Sequence, residues 1–269
     1  MWLVDISNTF TKCSLYVKGR HTKKLRLLTC EITPRKLQEI FAAYNRPKMI
    51  IAASVVPKVT EILKETFPNT HLLSGKSHLP IRIDYPNPSE IGADRLANAI
   101  ALYSFGQFPA IAVDFGTALT FDILDHRGAY VGGAIAPGLH TMLSSLHEKT
   151  ALLPHVVLRN PPSPIGKNTI NAIRSGVYYG AVGLIQNIIK CISFELYSKP
   201  KLIISTGGDG PWICKRIPEI QKNYPNLTLD GLRLYGESIL KKEMPKRHKI
   251  VTKGASFHTL YFEKKSFKS

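Results

Sequence analysis

The sequence predicts an α/β fold built from two similar halves. Candidate strands are mixed with helical segments in both halves of the chain. The segment Val4-Asp5-Ile6-Ser7-Asn8-Thr9 is echoed 109 residues later by Val113-Asp114-Phe115-Gly116-Thr117-Ala118. Each copy is an apolar strand ending in Asp, then a turn of small residues, then a second strand. The chain has 269 residues, 44% of them hydrophobic, enough for one large domain or two small ones with a sizeable core.

The elements follow in order. Residues 2–6 and 13–17 read as two strands around a polar turn, and 25–30 as a third. Pro34 opens a helix over 34–45, since proline suits the first helical position. The apolar run 49–54 reads as a buried strand, and a proline again opens the helix at 57–66. A proline-rich loop at 84–88 leads to a helix from about Glu90 to Tyr103. Phe105-Gly106-Gln107-Phe108-Pro109 marks a hinge or boundary. Strands are expected at 109–115, 118–124, 129–136 and 202–206, and helices at 138–147 and about 169–197, with further helical pieces to about 243. The division expected is 1–108, 109–236 and a basic tail, 237–269.

Composition excludes several classes. The net charge is +17, and such a field attracts anions such as nucleotides. Six basic residues and no acid lie between Lys12 and Arg26. From Gly236 to Ser269 there are nine Lys or Arg against three Glu. No basic run is interleaved with aromatics as a single-strand binder requires, so no nucleic-acid partner is expected. No unbroken apolar run approaches the roughly 20 residues that span a bilayer, so no membrane partner is expected either. The start, Met-Trp-Leu-Val-Asp, lacks the basic region of a signal peptide. Cys13, Cys30, Cys191 and Cys214 are widely spaced, which fits a reducing cytoplasm rather than a zinc ribbon or disulfide scaffold. His140 and His147 lack the spacing of a metal motif and read as surface or packing residues.

The chemistry concentrates in the two Asp-turns. Backbone N–H groups of such a turn form an anion-binding concavity. The strand-end carboxylate of Asp5 can hold a hydrated Mg²⁺ that bridges phosphate oxygens. Two hairpins of this kind facing each other across a cleft would grip a nucleotide tail from both sides. Thr206-Gly207-Gly208-Asp209-Gly210 adds a turn that a flat ligand or phosphate can approach closely. No P-loop or dinucleotide-binding fingerprint is present. The ordered set of two Asp-turn hairpins and a strand–Gly-Gly–helix unit resembles the acetate and sugar kinase, Hsp70 and actin superfamily. That resemblance implies two ribonuclease-H-like domains with the nucleotide in the cleft between them.

Four further stretches sharpen the resemblance. They are Ile91-Gly92-Ala93-Asp94-Arg95-Leu96-Ala97-Asn98, the run from Asp114 to Asp122, Gly132-Gly133-Ala134-Ile135-Ala136-Pro137-Gly138, and Gly166-Lys167-Asn168-Thr169. With Asp5 to Lys12 they closely resemble type III pantothenate kinases, collinearly over residues 1–235. The resemblance implies a homodimeric cytoplasmic enzyme that phosphorylates pantothenate with ATP, the first step toward coenzyme A. It places Asp5, Ile6, Ser7, Asn8, Thr9, Phe10, Thr11, Lys12 and Thr117 on ATP. It places Tyr85, Gly92, Ala93, Asp94, Arg95 and Thr169 on pantothenate, with Asp94 as proton acceptor. It makes Asp114 the ligand of a monovalent cation, K⁺ or NH₄⁺, and it puts the cation site and part of the pantothenate pocket near the dimer interface.

The residues agree with those roles. Asp94 falls in the first turn of a predicted helix, where the helix dipole favours a carboxylate. Arg95 can meet a carboxylate or phosphate as a fork. No Lys or Arg lies between Pro109 and Asp125 to neutralise Asp114, so a bound K⁺ is its expected counter-ion. Lys12 can reach a phosphate. Ser7 stands where the family usually has glycine, and backbone strain is expected there if the loop needs positive φ. The alternative function is a weakly active or non-catalytic regulatory relative of the same fold.

Overall fold

The computed structural model describes residues 1–43, 48–161 and 163–243. Its first half is a five-stranded mixed sheet. The strands are β1 (Trp2–Ile6), β2 (Phe10–Val17), β3 (Arg20–Leu28), β4 (Ile50–Ser54) and β5 (Thr70–Leu72), in the spatial order β3-β2-β1-β4-β5. The meander β1–β2–β3 is antiparallel, and β4 and β5 run parallel to β1. Two helices, α1 (Pro34–Ala42) and α2 (Pro57–Thr66), make the crossovers. Thr33 caps α1 by accepting a hydrogen bond from the Lys36 N–H. Tyr44 and Asn45, expected to extend α1, lie outside the described residues.

The second half repeats this topology. Its strands are β6 (Ala110–Phe115), β7 (Ala118–Leu124), β8 (Tyr130–Pro137), β9 (Leu202–Gly207) and β10 (Lys222–Asn223), in the order β8-β7-β6-β9-β10 with the same pattern of directions. The echoed six-residue segment therefore marks a repeat of the whole sheet, with Asp5 on β1 matching Asp114 on β6. The sequence reading missed β5 and β10, which are too short to show alternation.

Four helices complete the fold: α3 (Ala93–Tyr103), α4 (Leu139–Glu148), α5 (Thr169–Glu195) and, after the short α6 (Gly210–Ile213), α7 (Leu227–Glu243). Residues 237–243, read from the sequence as the start of the tail, continue α7; the tail from 244 on lies outside the described residues. The expected long helix at 90–103 starts at Ala93, after a separate 3₁₀ turn at Pro88–Glu90.

Alternation along the strands sorts the side chains. Trp2, Val4 and Ile6 pack outward against Phe41 and Leu63 of α1 and α2. Ile111, Val113 and Phe115 pack outward with Ile173, Val177, Ala181, Ile185 and Ile189, the i, i+4 stripe of α5. Leu3 and Ile51 of one sheet and Ala110, Ala112 and Ile204 of the other face a shared core filled by α3 and α7. Asp5 and Asp114 continue the inward-facing positions of β1 and β6, so both carboxylates end up on that shared side. Although no unbroken apolar run of bilayer length exists, α5 is long and apolar enough to cross a membrane by length and composition, with mean hydropathy 1.2 over 18 residues. Arg174, Gln186, Asn187 and Lys190 break it up in a search for continuous runs.

Candidate active site

The two Asp-turns meet at their tips. Thr9, in the turn between β1 and β2, and Thr117, in the turn between β6 and β7, share a hydrogen bond of 2.9 Å between their hydroxyls. The first turn is closed by the Ser7 N–H donating to the Phe10 carbonyl at 3.2 Å, and the second by the Gly116 N–H donating to Ala118 at 3.1 Å. Gly138 lets β8 pass close behind the second turn: a Cβ there would lie 2.1 Å from the Gly116 carbonyl oxygen. Gly207, at φ +89, turns the chain beside β6, and a Cβ there would lie 2.4 Å from the Phe115 carbonyl oxygen. Both glycines of these motifs thus serve close backbone approach around the tips.

Helix α3 aims its first turn at the same place and carries Asp94 there. The Asp94 Oδ1 accepts a hydrogen bond of 2.8 Å from the Arg95 N–H. Gly92 makes room for this, since a Cβ on it would lie 2.7 Å from Asp94 Oδ1. Asn98, one helical turn on, donates from Nδ2 to Asp114 Oδ2 at 3.1 Å. Asp5 is buried, accepts from the Ser7 hydroxyl at 3.1 Å, and lies 3.7 Å from Lys12 Nζ, its cross-strand partner on β2.

Electrostatics follow from this crowding. Burial pushes the Asp5 carboxyl up to about 6, the charges of Asp94 and Asp114 adding to it while Lys12 and the Ser7 hydroxyl oppose. Burial likewise raises Asp114, with Asp94 adding and Lys12 and Asn98 opposing. No Lys or Arg lies near Asp114 in sequence, but the charge of Lys12, from the other half of the repeat, acts on it from a distance. Ser7 is corrected. It has no positive φ, and its hydroxyl is a ligand of Asp5, so no glycine conformation is demanded there.

The other expected substrate residues sit beside β8. Arg95 donates from Nε to Asp122 Oδ1 at 2.8 Å and from Nη2 to the Phe121 carbonyl at 3.1 Å. Asp122 is fully buried, and burial pushes its carboxyl up to about 7 against the pull of Arg95. The Tyr130 hydroxyl donates to the same Oδ1 at 3.3 Å, while Oδ2 has no partner. Gly133 pairs with Asp122 across the strands, and a Cβ there would lie 1.6 Å from the Phe121 carbonyl oxygen and 2.4 Å from Arg95 Nη2. The Tyr85 ring lies near Tyr130, centroids 6.3 Å apart and tilted 51°, and beside Gly132. Thr169 begins α5. With Gly166 and Lys167 it lines an open groove of about 910 Å³ between α4 and α5, in which none of the four aspartates takes part.

Asn98, Asp122 and Thr228, whose hydroxyl donates to Asn98 Oδ1 at 2.9 Å, carry no role from the sequence. Two of them had a signal. Asn98 is four residues from Asp94, so helical spacing stacks it below the carboxylate. Asp122 interrupts the apolar run Phe121 to Leu124, and a buried charge requires a partner. Thr228 had none, being 130 residues from its partner.

The raised Asp5 carboxyl has a stability consequence. Its folded value lies above the unfolded one, so the folded chain holds a proton between them that the unfolded chain has lost. The stability this gives is present at low pH and fades as pH rises through about 6. Asn at this position stays neutral. The unfolding free energy of Asp5→Asn relative to wild type should therefore rise from pH 5 to pH 8 by on the order of 2 kcal/mol, read by urea denaturation. A difference that is flat or falls with pH contradicts the burial of a strained carboxylate here.

The comparisons with known proteins agree with this geometry. A family model described as type III pantothenate kinase matches residues 1–191. The chain is 41% identical over 245 residues to a type III pantothenate kinase of Methylacidiphilum infernorum, covering 90% of each protein. Among solved structures, a Baf family protein of Campylobacter jejuni superposes with a TM-score of 0.60 at 20% identity, over 89% of this chain and 100% of the other. Component A of the (R)-2-hydroxyglutaryl-CoA dehydratase of Acidaminococcus fermentans does so with a TM-score of 0.54 at 11% identity, over 87% and 96%. The fold shared with these structures is two mixed five-stranded sheets of one topology. With the motif residues gathered at the facing turns and the match running through most of the sequence, the chain belongs to the type III pantothenate kinase family.

Proposed function

We propose that this chain transfers the γ-phosphoryl group of ATP to the primary alcohol of pantothenate, giving 4′-phosphopantothenate. The observation that carries the reading is the tip-to-tip contact of Thr9 and Thr117, with the first turn of α3 opening onto it. The residues from Asp5 to Lys12 would cradle the phosphates from one side and Thr117 from the other. Asp94 takes the hydroxyl proton as the alcohol oxygen bonds to the γ-phosphorus and the bond to the β,γ-bridging oxygen breaks, releasing ADP. Tyr85, near Tyr130, and Arg95 would line the pantothenate end, but the fork expected of Arg95 is already turned to Asp122 and the Phe121 carbonyl.

The donor set fits cations. Asp5, Asp94 and Asp114 repel one another with Lys12 as the cation among them. Mg²⁺, carried with the phosphates beside Asp5, and K⁺ or NH₄⁺ at Asp114 would supply the missing positive charge. Asp5 and Asp114 would serve as ligands of these cations, with Lys12 beside Asp5.

Thr169 argues for a homodimer. None of the four aspartates lines its groove, which borders the Thr117 turn through Thr141, and the pantothenate contact of Thr169 would come from a second copy seated there. The free thiols Cys13, Cys30, Cys191 and Cys214 fit a reducing cytoplasm. The Ser7 hydrogen bond to Asp5 favours an active enzyme over a degenerate relative, because the substitution adds a ligand to the site.

Three outcomes follow. Asp94→Asn should lower kcat by about 10²-fold or more while ATP still binds, measured as pantothenate-dependent ADP release; turnover within threefold of wild type removes Asp94 from the base role. Ser7→Gly and Ser7→Ala should both raise the KM for ATP, since each deletes the hydroxyl that Asp5 accepts from; a lower KM in the glycine variant alone would restore the strain explanation. Mixing inactive Asp94→Asn with inactive Thr169→Ala should recover activity, because a mixed dimer holds one intact site. No recovery, with subunit exchange verified by mass spectrometry, contradicts a shared pocket.

A further inference from the structure

We propose that Asn98 and Thr228 form a positioning relay that fixes the carboxylate of Asp114 and makes it depend on the seating of α7. The inference rests on the reading of Asp114 as the monovalent-cation ligand and extends it to Asn98, to which the motif gave no role, and to Thr228, which lies outside the motifs.

The chemistry of the groups fixes the direction of the relay. The Asp114 carboxylate only accepts, so the Asn98 amide must turn its Nδ2 toward it, at 3.1 Å. That leaves Asn98 Oδ1 facing the other way, into a core where Asn98 is 1% exposed. The Thr228 hydroxyl, itself buried, donates to that oxygen at 2.9 Å. Without it, a buried carbonyl oxygen would lose its donor, and the amide would lose the reason to hold its orientation.

The backbone is shaped to bring Thr228 there. Gly231, one turn further along α7, packs against Ala97, the neighbour of Asn98; a Cβ on Gly231 would lie 1.8 Å from the Ala97 carbonyl oxygen. The helices therefore meet backbone to backbone beside the relay. The opposite side of α7 is tied to the first sheet. Asp230 lies 3.2 Å from His21 Nε2, and His21 Nδ1 shares a hydrogen bond of 2.9 Å with the Ser14 hydroxyl on β2. Helix α7 thus joins the first hairpin to the strand-end carboxylate of the second. Asp5 has no such relay, since its supports, Ser7 and Lys12, belong to its own hairpin.

The test compares Thr228→Val, which keeps the shape and removes the hydroxyl, with Thr228→Ser, which restores it. The first readout is hydrogen exchange of the Asn98 side-chain amide by NMR of the full ¹⁵N-labelled chain, its resonances identified by their loss in Asn98→Ser. The second is the K⁺ concentration for half-maximal pantothenate-dependent ADP release. In Thr228→Val we expect faster amide exchange and a half-saturating K⁺ raised roughly fivefold, with kcat at saturating K⁺ close to wild type. In Thr228→Ser both should return toward wild type. Where the valine variant does not fold, Thr228→Ala takes its place. Unchanged exchange, failure of serine to restore it, or changed exchange with the half-saturating K⁺ unmoved overturns the relay. Wild-type activity indifferent to K⁺ sinks instead the cation reading of Asp114, and the relay to that carboxylate then stands or falls on the exchange data alone.

Discussion

The structure is organised around the mutual repulsion of carboxylates gathered where two copies of one hairpin meet. Asp5 and Asp114 end equivalent strands, and Asp94 arrives between them on a helix N-terminus. Burial and shared charge push Asp5 and Asp114 above the ordinary carboxylate range. Such a cluster costs stability as it stands, and a fold keeps it only where incoming positive charge and polarised substrate compensate. A site for a phosphate tail with its metal meets that description. The lysine and the three carboxylates are parts of one electrostatic arrangement.

Duplication gave the two carboxylates the same backbone and different surroundings. Asp5 sits opposite Lys12 and accepts from Ser7, both within its hairpin. Asp114 sits opposite Thr120, and its hydrogen-bond donor comes from α3. The first copy is therefore partly neutralised from within, while the second relies on the neutral amide of Asn98 and the more distant Lys12. Under the proposed function, this asymmetry would suit phosphate and its metal at the first and a monovalent ion at the second.

Much of this was legible in the sequence because it is local. Alternation and flanking prolines located most strands and helices, and the Asp-turn echo announced the repeated sheet. Five motif segments pointed to the right family, and three of their glycines, Gly133, Gly138 and Gly166, turned out to be places where a Cβ would strike the backbone. What stayed hidden is long-range. Nothing near Asp114 tells of Lys12, nothing near Asn98 tells of Thr228, and Thr9 meets Thr117 across 108 residues. The strain expected at Ser7 failed for a related reason: a family's glycine was read as a conformational demand, whereas this chain uses the position for a hydrogen bond. The edge strands β5 and β10, of three and two residues, carry too little pattern to be seen.

The central claim is that this carboxylate cluster directs a phosphoryl group to an alcohol rather than to water. Phosphorus NMR of the protein with ATP, Mg²⁺, K⁺ and pantothenate tests it most directly. The account predicts that the ATP γ-phosphate signal is replaced by a phosphate monoester signal of 4′-phosphopantothenate, in step with the appearance of ADP. Conversion of the γ-phosphate to inorganic phosphate at the same rate with and without pantothenate, and no monoester, would contradict it.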